Sequence, residues 1–135
     1  MTDIGKYIAA LEKRIGFELD EPDDGFYGIV VEGRQLVNIG FDADAGTVTI
    51  RTPVNASSPS LPTALVSSLF EFNFPNAVTA GAILAWPADG IGLELVNVLP
   101  LAAVEPEALG NLAGAQGKAA LEMSRTIDKK LARAA

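Results

Sequence analysis

The chain has 135 residues, with no cysteine and no histidine, and its 17 Asp and Glu against 10 Lys and Arg give a formal net charge of −7. Without Cys or His there is no disulfide, no thiolate chemistry, no cysteine-based metal site and no Ser-His or Cys-His nucleophile. The acidic balance, with a pI near 4.4, argues against binding to nucleic-acid phosphates and favours basic or amphipathic protein partners.

The length suits one domain over residues 1–135, able to bury roughly two-thirds of its unfolded surface. No run of about 20 apolar residues is present, and Met1-Thr2-Asp3-Ile4 does not open a basic-then-apolar leader, so the expectation is a cytoplasmic protein without membrane insertion.

In chain order, Thr2 or Asp3 can cap a first helix whose Ile4, Tyr7, Ile8, Leu11 and Ile15 share one face, with Gly16 as its stop. Asp20-Glu21-Pro22-Asp23-Asp24-Gly25 is dense in carboxylates but has no EF-hand pattern, and reads as a solvated loop. From Phe26 the apolar period changes from helical to two, which predicts strands over Phe26–Glu32, Gln35–Asp42 and Thr47–Arg51. The turns fall at Gly33-Arg34 and Ala43–Gly46. Val37, Ile39 and Phe41 share one face of the second strand, and Val48 and Ile50 one face of the third. The first strand keeps apolar residues on both sides, Phe26 and Val30 against Tyr27, Ile29 and Val31.

Pro53–Pro59 reads as a linker into the most apolar part of the chain, Ser60–Phe74. Ser60 is an N-cap and Pro62 fits the first turn. Leu61, Leu65, Leu69 and Phe72 keep helical spacing, while Val66, Phe70 and Phe74 widen the apolar face beyond that of an ordinary amphipathic helix. Strands are expected over Val78–Trp86 and Ile91–Leu99, joined by Pro87–Gly90 and apolar on both faces. A final helix starts at Glu105-Pro106-Glu107 and carries Leu109, Leu112, Gln116, Ala119, Ala120, Met123, Ile127 and Leu131 on one face. Its Gly110, Gly114 and Gly117 each cost about 1 kcal/mol against Ala, which implies either close backbone packing or a break near Gly114.

The expected fold is α+β, a single domain of order α-β-β-β-α-β-β-α with an antiparallel sheet packed by helices. The surplus apolar surface of Ser60–Phe74 and Val78–Trp86 points to a homodimer contact. No phosphate-binding loop, dinucleotide fingerprint or nucleophile elbow occurs. Glu94, a charge in an apolar strand, reads either as a buried acid or as a residue on an exposed sheet face, and Trp86 as a core or interface anchor or a ligand stack. No enzyme, metal or cofactor is implied.

The segments Leu69-Phe70-Glu71-Phe72-Asn73-Phe74, Ala80-Gly81-Ala82-Ile83-Leu84-Ala85-Trp86, Val98-Leu99-Pro100-Leu101 and Val104-Glu105-Pro106-Glu107-Ala108-Leu109, with the element order, small size and low pI, resemble the class I chaperones of bacterial type III secretion. The resemblance implies an ATP-independent homodimer that binds the extended N-terminal segment of a secreted effector and keeps it soluble and competent for secretion. It implies a dimer contact at Leu65, Val66, Leu69, Phe70, Val78, Ala80, Leu84 and Trp86. It implies a client surface on the first helix and first three strands, which apolarity assigns to Ile4, Ile8, Phe26, Tyr27, Leu36, Asn38, Val48 and Ile50. The alternatives are a regulatory adaptor of the same fold that sequesters a regulator protein, and a small-ligand domain built on Glu94 and Trp86.

Overall fold

The structure, a computed structural model, describes residues 4–22, 25–54, 81–85 and 93–134. The expected helix over Ser60–Phe74 and most of the strand expected over Val78–Trp86 lie outside the described residues. The order observed is α1 (Ile4–Ile15), β1 (Phe26–Val31), β2 (Gln35–Asp42), β3 (Thr47–Pro53), β4 (Ile83–Ala85), β5 (Glu94–Pro100), a 3-10 turn (Leu101–Ala103) and α2 (Pro106–Ala134). Among the described residues, five strands form one antiparallel sheet in the order β1-β2-β3-β5-β4, with β1 and β4 outermost. An α+β chain with helices against one antiparallel sheet is therefore correct.

Local chemistry sets the boundaries. Gly16 closes α1 with φ +86° and donates its N–H to Glu12 O at 2.8 Å, the left-handed cap that a glycine adopts without strain. The β1–β2 turn is centred on Glu32 (φ 53°) and Gly33 (φ 73°), one residue earlier than the sequence pattern suggests. Two consecutive positive φ values make it a type I′ turn, whose twist matches that of the flanking strands. In the β2–β3 turn the Asp42 carboxylate accepts the N–H of Ala45 at 3.0 Å, so Asp42 serves the turn. β3 runs two residues past its expected end at Arg51, because Thr52 and Pro53 pair with Leu95 and Glu94.

Alternation then divides the sheet. Val37, Ile39, Val48, Ile50 and Leu95 point inward and are fully buried. They pack with Tyr7 and Leu11 of α1 and with Leu109, Ala113, Ala120 and Ile127 of α2, in two adjoining clusters. The Tyr7 hydroxyl lies 2.8 Å from Leu101 O and 2.7 Å from Val104 O, sharing its hydrogen between two buried carbonyls and tying α1 to the turn before α2. Gln116, also buried, donates through Nε2 to Ile50 O at 2.8 Å, Thr52 Oγ1 at 3.0 Å and Leu95 O at 3.0 Å, bridging β3 and β5.

The glycines of the last helix mark close packing and no break. α2 runs unbroken from Pro106 to Ala134. A Cβ at Gly110 would overlap Arg14 Cδ, and one at Gly117 would come within 2.8 Å of Val31 Cβ. Two bare positions on α2 thus receive a side chain of α1 and a side chain of β1. Arg14 continues past Gly110 to donate to Asn111 Oδ1 at 2.7 Å.

Candidate partner-binding surfaces

Because α1 and α2 both pack on the inner side, the residues that alternate away from them form a second face. Strand register aligns Phe26, Gly40, Thr49 and Val98 in one row, and Gly28, Asn38, Arg51, Val96 and Ile83 in the next. Four large apolar side chains on this face stand well out of the core: Val30 is 60% exposed, Val98 57%, Ile83 55% and Leu36 42%. At its centre the Arg51 guanidinium meets Glu94 with two bonds, Nε to Oε2 at 2.7 Å and Nη2 to Oε1 at 3.2 Å, a forked pair that cross-links β3 and β5. Glu94 is therefore an ion-paired residue of the outer face, the second of its two readings. The Phe26 ring folds over Gly40, where a Cβ would come within 2.7 Å of it, and Arg51 lies 5.4 Å from the ring centroid. Any side chain at position 40 would lift that ring.

At the β1 edge the outer face meets the segment that joins α1 to β1. The Glu12 carboxylate accepts the N–H of Leu19 at 2.7 Å and holds this segment against the end of α1. It then stands off the strand, and a groove of about 380 Å³ runs between Phe17–Pro22 and Phe26–Gly28. A second hollow of about 240 Å³ is lined by Ile4, Glu21, Pro22, Gly25, Tyr27 and Phe41. Tyr27 and Phe41 are in edge-to-face contact there, with centroids 6.1 Å apart, and Phe41 stands at the same distance from Tyr7. A third hollow of about 450 Å³ lies on the other side of Phe26, beside Phe41, Asp42, Asp44 and Thr49.

The eight client-surface residues expected from the sequence do not stay together. Ile4 and Tyr27 share a hollow, Phe26 adjoins both neighbouring ones, and Ile8 is half-buried one turn along α1. Leu36 and Asn38 lie on the outer face, exposed and half-buried respectively. Val48 and Ile50 do not belong to such a surface: both are fully buried under the helices, since their alternation points them inward. Leu84, expected at a subunit contact, is also core; it is 1% exposed and packs with Leu93, Leu95 and Met123 of the same chain. Leu65, Val66, Leu69, Phe70, Val78, Ala80 and Trp86 lie outside the described residues.

Phe17 (62% exposed), Val30, Ile83 and Val98 were not among the expected surface residues. For Val30 the signal was present in the period-two split that set it with Phe26. For Ile83 and Val98 it required knowing which face the helices cover.

Comparison with known proteins fits this architecture. The model of the Tir chaperone protein (CesT) family matches residues 6–121. The chain belongs to that family. No curated protein matches it in sequence. Among solved structures it resembles a chain of the ExsC–ExsE complex, at 16% identity, 92% coverage of each chain and a TM-score of 0.72. It also resembles chains of two other complexes. In the Yersinia pestis type III secretion chaperone SycH with a stable fragment of YscM2, identity is 11%, coverage 90% of this chain and 100% of that one, and the TM-score 0.63. In the ExoT–SpcS complex from Pseudomonas aeruginosa these values are 14%, 91%, 99% and 0.63. At such identities the likeness is one of fold. The alignment of inner and outer faces described above thus belongs to a member of the Tir chaperone protein family, and no helix among the described residues is long and apolar enough to cross a membrane.

Proposed function

We propose that this chaperone-family member binds the extended N-terminal segment of a type III secretion effector in the bacterial cytoplasm, without ATP and without chemical turnover, and holds it soluble and ready for export. The observation that carries the reading is the conjunction of family membership with an edge strand, β1, flanked by hollows containing Ile4, Phe26 and Tyr27. An extended peptide can pair with such an edge through its backbone and place alternate side chains in the adjoining hollows. Ile8, Leu36 and Asn38 extend the surface to either side. The working unit is a homodimer whose contact uses Leu65, Val66, Leu69 and Phe70 with Val78, Ala80 and Trp86, the apolar surplus of the sequence.

The test is capture of the tagged chain from its native cell, with mass spectrometry of what it retains. Recovery of one secreted protein through its N-terminal region is the expected result, and recovery of a regulator instead would replace this reading with the adaptor. Light scattering at micromolar concentration should give twice the chain mass, and Leu69→Glu should abolish it; a stable wild-type monomer would remove the dimer from the proposal.

A further inference from the structure

The client surface proposed above carries a charge pattern that specifies its occupant more closely. The groove between Phe17–Pro22 and β1 is walled by Glu18, Asp20 and Glu21, all exposed, and among the described residues no Lys or Arg lines it. Next to it, the hollow near the β2–β3 turn, which also borders Phe26, is lined by the exposed Asp42 and Asp44, again with no basic residue among those described. Of the described cations, Arg51 bonds Glu94 and lies over the Phe26 ring, and Arg14 bonds Asn111. Phe26 borders both hollows, beside Tyr27 in the first and Phe41 in the second.

From this geometry we infer that the occupant is an extended partner segment whose large apolar side chain sits beside Phe26, with Lys or Arg on both sides of it toward the two acidic walls. This rests on the client-binding reading of the same surface and adds the chemistry of the client. An apolar residue alone would leave five carboxylates facing the partner's backbone. Basic flanks convert them into attraction, which speeds encounter and rejects acidic segments.

The test is to pan a phage library of random 12-residue peptides against the full chain, then to measure a fluorescein-labelled selected peptide by anisotropy. Selected peptides should be enriched in Lys and Arg within three positions of an apolar anchor. The double variant Asp20→Lys with Glu21→Lys should weaken binding by about tenfold at low salt and by less at 0.5 M NaCl. Glu107→Lys with Asp128→Lys, on exposed positions of α2, should change it less than about twofold. Gly28→Trp supplies the steric block: position 28 is exposed, a Cβ there meets only Leu36 Cδ1 at 3.5 Å and Asn38 Oδ1 at 3.8 Å, and the larger ring fills the groove. Selected peptides that Gly28→Trp excludes but that carry no basic flank, or are insensitive to the charge reversals, would overturn the inference and leave the client-binding reading in place. A library that yields no peptide blocked by Gly28→Trp would overturn both.

Discussion

The two faces of the sheet are built from the same strands, and often from adjacent residues, yet they live in opposite surroundings. Ile50 is fully buried and its neighbour Arg51 reaches an ion pair on the other side; Leu95 is fully buried while Val96 and Val98 look outward. The inner face is a packed layer whose buried side chains meet α1 and α2. The outer face keeps apolar side chains exposed around a forked ion pair and a ring seated on a glycine. Apolarity alone does not separate these roles, because Val48 and Val98 are the same residue type with opposite fates. The side of the sheet on which the helices lie makes the difference.

That contrast can be broken by substitution. The largest effect is expected from Ile50→Ala, which opens a cavity under both helices and should cost about 2–5 kcal/mol of unfolding free energy, read from urea denaturation. An intermediate effect is expected where a helix touches the inner face without a side chain of its own. Gly117→Ala gains about 1 kcal/mol of helix propensity but drives a methyl into Val31, an overpacking cost of about 1–3 kcal/mol, so the net change should be destabilising or, at best, neutral. A stabilised Gly117→Ala protein would show that α2 does not sit as closely on β1 as the structure has it. The smallest effect belongs to the outer face: Val98→Thr and Ile83→Thr should each shift stability by no more than about 0.5 kcal/mol. A loss there matching that of Ile50→Ala would mean that the outer face is core in the folded protein, and the contrast would disappear.

Much of the layout was legible because it follows from local rules. The period-two alternation in β2 and β3 assigned Val37, Ile39, Val48 and Ile50 to a common face, and that grouping holds in the sheet. The stop at Gly16 and the start of the last helix at Pro106 also follow from residues close in sequence. The turn at Glu32 was read one position late, since a non-glycine at positive φ leaves no mark in the sequence. The end of β3 was read two residues early, since Pro53 looks like a linker until Glu94 is seen beside it.

The candidate site was less legible, and for one reason. Alternation says which residues share a face but not which of the two faces is covered. Val48 and Ile50 were therefore placed on a client surface when α1 and α2 bury them, and Leu84 on a subunit contact when α2 buries it. Likewise the glycines of α2 predicted either a break or close packing. The choice fell to Arg14 and Val31, residues 96 and 86 positions away, whose side chains occupy the space that Gly110 and Gly117 leave. The sequence by itself determined composition-level exclusions, strand periods, helix ends and family likeness, because those depend on residue type and near neighbours. Tertiary structure alone decided which apolar residues became core, which stayed exposed beside β1, and which carboxylates came to border the hollows at Phe26, because each depends on contacts between segments that are remote in the chain.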